Sequence, residues 1–201
     1  MNIKGFLFDV DGVLFDSIPQ HAKSWVTAFR EKGFRLPVKY VYIIEGMRDF
    51  TIVKYLAGLL KIRLSEVDQK DIIKRKMDLF NNYKNPKFIK GAKALVSYLK
   101  KNKFKVGIVT GSNQAKTIRL IKENFGIPRK YMVTGKDIKH GKPHPEPYLL
   151  GLKKLKLNAV EVLVVENAPL GIESARAAGL KVVALKTGLL SVKDLKKCHP
   201  N

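Results

Sequence analysis

Asp9 and Asp11 are separated by one residue and follow a short apolar segment, Gly5-Phe6-Leu7-Phe8. If the chain leaves a strand between them, both carboxylates reach one site, where one can attack and the other can move protons. Further polar groups stand directly after later apolar runs: Thr110-Gly111-Ser112 after 105–109, and Glu166-Asn167 after 162–165. Glu166 and the two aspartates form a hard oxygen set suited to Mg²⁺, which takes carboxylates, water and substrate phosphate. The Thr110 hydroxyl, the backbone N–H groups around Gly111 and Ser112 at a helix start, and the Lys142 ammonium in the loop Gly141-Lys142-Pro143 are donors for a phosphoryl group. Metal and lysine together would offset the repulsion between an anionic nucleophile and an anionic phosphate. Singly these features are commonplace: Asp-Gly makes a turn, Thr-Gly-Ser caps a helix, and Gly-Lys-Pro is a solvated loop. Their order and spacing together carry the chemical reading.

Such groups meet only if the apolar runs are neighbouring strands that end on the same side, as in an open parallel sheet, where functional residues gather beyond the carboxyl ends. The pattern predicts strands over 5–10, 105–109, 162–165 and 181–185 and helices over 92–100, 114–124, 145–154 and 169–178. The last helix has Pro169 in its first turn and stops at Gly179. Strands alternating with helices of this length predict an α/β core with a mainly parallel sheet. Residues 17–85 break that rhythm. Ile18, Ala22, Trp25, Val26 and Phe29 recur at helical spacing, 50–60 reads as a second helix, and Ile73, Met77 and Phe80 mark a third, capped by Ser65. The expected architecture is a discontinuous core, 1–16 and 86–201, interrupted by a small all-helical domain, 17–85. A terminal helix over 191–197 is also expected.

The chain has 201 residues, of which 45% are hydrophobic, enough to build a buried core, so intrinsic disorder is excluded. Its net charge is +22, which favours anionic partners such as phosphorylated metabolites, nucleic acid or acidic membrane. The basic surplus is spread: 17–85 holds 14 basic and 7 acidic residues and the remainder 25 and 10, so there is no separate cationic tail. The single cysteine, Cys198, allows no internal disulfide and no cysteine-based zinc or iron–sulfur centre. No apolar run approaches the roughly 20 residues of a membrane span, and the N-terminus meets two aspartates before a signal-peptide core could form. A cytoplasmic, monomeric protein is the expectation. Gly135 and Gly141-Lys142 do not make a nucleotide-binding loop, because the glycine spacing is wrong and Pro143 replaces the required Ser or Thr. Nucleic-acid binding is the alternative suggested by charge, yet no helix-turn-helix, zinc-finger or stacking signature accompanies the lysines. A non-catalytic interaction protein on an enzyme fold is a further alternative, opposed by the intact set of chemical groups.

Four segments in this order resemble the motifs of the haloacid dehalogenase superfamily: Phe8-Asp9-Val10-Asp11-Gly12-Val13-Leu14-Phe15-Asp16-Ser17, Val109-Thr110-Gly111-Ser112, Gly141-Lys142-Pro143-His144-Pro145-Glu146-Pro147-Tyr148 and Val164-Val165-Glu166-Asn167-Ala168-Pro169-Leu170-Gly171-Ile172. The resemblance covers essentially the whole chain. It is strongest to the branch that holds β-phosphoglucomutase and small sugar-phosphate or phosphoglycolate phosphatases. It implies a Rossmann-like three-layer core with a helical cap inserted after the first motif. It also implies Asp9 as the nucleophile that becomes an aspartyl-phosphate and Asp11 as the general acid/base that offers a backbone carbonyl to Mg²⁺. Thr110, Gly111 and Ser112 then bind phosphate, Lys142 stabilises nucleophile and phosphate, and Glu166 and Asn167 complete the metal site with Asp9 and Asp11. Asn167 stands where relatives often carry Asp, so the site has one charge fewer. In the cap, His21 and Lys76 match β-phosphoglucomutase positions near the general acid, Arg48 lies where substrate-reading residues occur, and Glu45 stands where the mutase carries a phosphate-binding lysine. The implied activity is a Mg²⁺-dependent phosphomonoesterase for a small phosphorylated metabolite, with no specific nucleic-acid or membrane partner. β-Phosphoglucomutase is the alternative, favoured by His21 and Lys76 and opposed by Glu45.

Overall fold

The structure is a computed structural model that describes residues 2–47, 49–83 and 87–196. In chain order its elements are β1 (Gly5–Phe8), β2 (Phe15–Asp16), α1 (Ile18–Glu31), α2 (Val38–Ile43), α3 (Asp49–Leu60), α4 (Glu66–Asn81), β3 (Lys87–Phe88), α5 (Ala92–Lys101), β4 (Lys105–Val109), α6 (Ala115–Phe125), β5 (Met132–Val133), α7 (Glu146–Leu155), β6 (Val162–Glu166), α8 (Pro169–Ala177), β7 (Lys181–Ala184) and α9 (Val192–Lys196).

Five strands form one parallel sheet in the order β5-β4-β1-β6-β7, with Phe8 opposite Ile108 on one side and Val165 on the other. Alternation along β1 sends Phe8 into the apolar cluster under α5 and α6, with Val96, Leu99, Ile121 and Phe125. Leu7 points the opposite way, to Tyr148, Leu152 and Ala175 under α7 and α8. Helices therefore cover both faces, which is why the central strands read as continuous apolar runs. β1 is shorter than the predicted 5–10. The Val10 carbonyl accepts from the N–H groups of Val13, Leu14 and Phe15, so the chain turns immediately after Asp9.

Four helices, α1 to α4, lie between residues 18 and 81 and pack around their own apolar cluster, which includes Trp25, Phe29, Leu56 and Ile72. Burying a side chain of this size stabilises by about 1.5–3 kcal/mol, and Trp25 is 1% exposed. That cluster continues into the sheet domain through Ile172, Leu190 and Leu195, so the bundle is seated on α8 and α9. Ser65 does cap α4, its Oγ accepting the Asp68 N–H at 3.0 Å. Sequence periodicity missed the six-residue α2 and three two-residue strands, β2, β3 and β5. β2 and β3 pair antiparallel, Phe15 with Phe88 and Asp16 with Lys87, and so join the two chain crossings between sheet domain and bundle. Among the described residues no helix is long and apolar enough to cross a membrane. Cys198 and Lys197 lie outside the described residues.

Candidate active site

Asp9 leaves the carboxyl end of β1 with its N–H on the Val165 carbonyl at 3.0 Å, which fixes its backbone against β6. Its Oδ1 accepts from Lys142 Nζ at 2.6 Å. Lys142 also reaches Glu166 Oε1 at 2.5 Å and the Val109 carbonyl at 3.4 Å, so one ammonium ties together the ends of β1, β4 and β6. Tyr148 Oη donates to Glu166 Oε1 at 2.9 Å, and the N–H groups of Asn167 and Ala168 donate to Oε2 at 2.8 and 3.1 Å. Four donors saturate the Glu166 carboxylate, which is fully buried. Gly171 permits that burial, since a Cβ there would stand 1.7 Å from Glu166 Oε1. Tyr148 ends the third motif, but nothing in the sequence pairs it with Glu166.

Burial pushes the Asp9 carboxyl well up, with the Glu166 and Asp11 charges adding to that rise and Lys142 opposing it. For Lys142, burial pulls downward, but the two carboxylates outweigh it and hold the ammonium protonated well above its ordinary value. Asp11 differs. Burial pushes it upward too, but the His21 charge, hydrogen bonds from His21 and Ser17, and the Lys76 charge bring it below the usual carboxylate value. The Ser17 hydroxyl donates to Asp11 Oδ1, and His21 Nε2 lies 3.3 Å from the same oxygen. His21 is held in place by Phe80, stacked at 3.9 Å between ring centroids.

A cavity of about 150 Å³ opens between the sheet domain and the bundle. Asp9, Asp11, Thr110, Gly111 and Ser112 line one side, and His21, Trp25, Glu45, Asp49 and Lys76 the other. Thr110 is buried, and its Oγ1 accepts the Ser112 N–H at 3.1 Å, leaving the hydroxyl proton to donate elsewhere. Gly111 passes so close to the α2–α3 loop that a Cβ would sit 3.0 Å from the Gly46 carbonyl. Lys76 is buried, bonded to Asp49 Oδ1 at 2.9 Å and set 4.9 Å from the Trp25 ring centre. Glu45 is raised to about 6, by burial first and by the Asp11 charge, with His21, Lys76 and Lys142 opposing. Asp49, Trp25 and Gly46 were missed as site residues; a buried lysine on α4 requires an acid nearby, but the sequence does not say which. Lys142, Glu166 and Asn167 do not line the cavity and reach it through Asp9 and the turn at Gly12. Arg48 lies outside the described residues.

The donor set fits a hard cation. Among the described residues Asn167 Oδ1 is buried with no hydrogen-bond partner, and a Cβ at Gly12, one residue past Asp11, would lie 2.1 Å from Asn167 Nδ2. A buried amide oxygen left without a donor, in the turn next to Asp11, is a ligand of the kind Mg²⁺ takes. The Glu166 carboxylate, by contrast, has both oxygens filled by protein donors.

A five-stranded parallel sheet, a helical bundle inserted after its first strand and carboxylates at the carboxyl ends of the central strands define the haloacid dehalogenase-like hydrolases, whose family profile matches residues 6–185; the chain belongs to that family. Within it the chain is similar to hexitol phosphatase A of Escherichia coli K12, 35% identical over 188 residues, covering 92% of this chain and 84% of that one. It is also similar to glycerol-1-phosphate phosphohydrolase 1 of Saccharomyces cerevisiae, 30% identical over 203 residues, 93% of this chain and 76% of that one. Among solved structures, a Bacteroides vulgatus protein assigned as a beta-phosphoglucomutase superposes with a TM-score of 0.91 at 35% identity, covering 99% of this chain and 82% of that one. The chain is thus an enzyme of the phosphatase branch of the family.

Proposed function

We propose that the protein is a Mg²⁺-dependent phosphomonoesterase that hydrolyses a small phosphorylated metabolite, of sugar-phosphate or phosphoglycolate type, through an aspartyl-phosphate on Asp9. The observation that carries this reading is the position of Asp9: one carboxylate oxygen is fixed by Lys142 at 2.6 Å, while the residue opens onto a cavity that Asp11 also lines. Asp9 attacks phosphorus, and the bond to the leaving oxygen breaks as Asp11 protonates that oxygen. Asp11 then takes a proton from the water that hydrolyses the aspartyl-phosphate. In the resting protein Asp11 is ionised; the arriving phosphate dianion raises its proton affinity and so loads it as an acid. Thr110 and the backbone at Gly111 and Ser112 orient the phosphoryl oxygens, and Lys142 keeps Asp9 aimed. Asp9, Asp11 and Asn167 would hold Mg²⁺, with Glu166 behind them, and the ion supplies charge neutralisation for the phosphoryl group.

In the same reading residues 17–85 form a cap over a core of 1–16 and 86–201, and His21 and Lys76 read the leaving group. Closure of the cap excludes water and reopening releases product. A cytoplasmic location belongs to this proposal, supported by the single cysteine and the small-metabolite chemistry. The β-phosphoglucomutase reading draws on the buried His21 and Lys76 and on the Bacteroides relative. Glu45 opposes it, because a carboxylate on that wall repels a second phosphate.

The test is phosphate release from a panel of small phosphomonoesters with and without Mg²⁺, following glucose 6-phosphate from β-glucose 1-phosphate in parallel. Phosphate release that requires Mg²⁺ and falls by at least about 10³-fold in Asp9→Asn, with the thermal midpoint kept, is the expected result. Near-normal turnover by Asp9→Asn overturns the covalent mechanism, and glucose 6-phosphate without stoichiometric phosphate establishes the mutase.

A further inference from the structure

The wall of the cavity built by the helical bundle holds a histidine and a lysine, and both already have acidic partners. His21 Nε2 lies 3.3 Å from Asp11 Oδ1, and Lys76 Nζ lies 2.9 Å from Asp49 Oδ1. Among the described residues Glu45 is the unmatched group on this wall. Among the described residues no hydrogen bond reaches its carboxylate, although one of its oxygens lies within 4.8 Å of both an Asp11 oxygen and a His21 nitrogen. It sits in the short loop between α2 and α3, on the same cavity as Thr110 and Asp9, so it faces whatever is attached to a phosphoryl group held there.

We infer that Glu45 accepts a hydrogen bond from a hydroxyl of the leaving group, and thereby selects phosphomonoesters of short, uncharged polyhydroxy alcohols over those that carry a carboxylate or a second phosphate. This rests on the phosphomonoesterase reading above and narrows its substrate class. An ionised carboxylate is an acceptor only, so the partner it lacks among the described residues must be a donor. A hydroxyl supplies one, and a hydrogen bond to a charged acceptor is of the stronger kind. A carboxylate or phosphate in the same place meets like charge at Glu45, and no unpaired cation of the described cavity wall offsets it. Discrimination then comes from repulsion as much as from attraction. Size acts in the same direction: about 150 Å³ is small beside the roughly 300–1,000 Å³ of pockets for larger ligands, so the leaving group is a few carbons long.

The experiment measures kcat/KM for glycerol 1-phosphate and for phosphoglycolate, with Mg²⁺, on the wild-type chain, Glu45→Gln and Glu45→Lys. The wild type is expected to favour glycerol 1-phosphate by about 10²-fold or more, Glu45→Gln to reduce that ratio at least about tenfold, and Glu45→Lys to invert it. Partial misfolding of a variant lowers both arms alike and cancels in the ratio. A wild type that turns over both esters with a ratio near one, or variants that change both by the same factor, overturns the inference and leaves the phosphomonoesterase standing. Silence of the wild type on every phosphomonoester defeats the phosphomonoesterase reading itself, and the inference falls with it.

Discussion

The two walls of the cavity use the same residue types, carboxylates and ammonium groups, and treat them differently. Directly behind the sheet-side wall, and bonded to its Asp9, Lys142 and Glu166 have side chains 2% and 1% exposed; Lys142 bridges the ends of β1, β4 and β6, and Glu166 takes four donors. On the bundle side Lys76 is nearly as buried, but its partner Asp49 has a side chain 38% exposed and Glu45 has no hydrogen bond at all among the described residues. A wall whose polar groups saturate one another holds its geometry before substrate arrives, which is what transition-state stabilisation requires. A wall left short of donors gains its missing bonds from a ligand, which is what selection requires. On the proposed reading, chemistry and recognition are separated across one cavity of about 150 Å³.

The most severe way to break this contrast is to remove the lysine behind the sheet wall and, separately, the lysine on the bundle wall. Lys142→Ala leaves Asp9 and Glu166 buried without their shared cation; losing one partner of a buried pair costs about 3–5 kcal/mol, on residues 6% and 0% exposed. The thermal midpoint should fall by roughly 6–20 °C, and phosphate release should become unmeasurable. Lys76→Ala leaves Asp49, which water can solvate, so its stability cost should stay near about 1 kcal/mol while turnover falls more modestly. Equal losses of stability in the two variants would show that the walls are not built differently.

A gentler probe lies where the bundle touches the sheet side. Gly46 has a φ of +90°, and a Cβ there would stand 2.9 Å from Lys142 Cδ. Gly33, also in the bundle, has a φ of +83° with nothing within 4 Å of such a Cβ. Alanine at either position costs roughly 1–2 kcal/mol for the left-handed backbone. Only Gly46→Ala should also lower kcat, by about tenfold, because it displaces the lysine that aims Asp9. Melting curves and initial rates on both variants separate the two effects, and similar rates would mean that the loop does not bear on Lys142.

Much of this arrangement was legible in the sequence because it rests on local signals. Apolar runs of four or five residues marked β1, β4, β6 and β7, and Pro169 with Gly179 bracketed α8. The pair β2 and β3 was illegible, since each strand is two residues long and their partners lie far apart in the chain. α2 spans six residues, too few for a helical period to declare itself. At the site, Asp9, Thr110, Lys142 and Glu166 could be picked out from strand ends and motif order. What could not be read was how the lone pairs are filled. Glu166 looked like a metal ligand by type, whereas its four donors come from Lys142, Tyr148 and two backbone groups brought together only by the fold. Glu45 presented the opposite case, an acid that no hydrogen bond reaches among the described residues, which is visible only once its neighbours are placed.

The smallest expected effect is on stability, and it comes from the same Glu45 carboxylate. The Glu45 carboxyl is raised from 4.5 to about 6 in the folded protein, by burial first. Because the folded state disfavours the charged form, ionised Glu45 destabilises the fold. The penalty is absent below about pH 4.5, where the group is protonated both folded and unfolded, grows between about 4.5 and 6, and is complete above that range. Glu45→Gln removes the charge at every pH, so in metal-free buffer it should be more stable than the wild type by about 1–2 kcal/mol at pH 7.5, with the two converging near pH 4. Melting both proteins across this range reads the difference directly, since the titration of other carboxylates is common to both. A stability difference that is constant with pH, or one of opposite sign at pH 7.5, would mean that Glu45 is satisfied within the protein and is not a group waiting for a donor from the substrate.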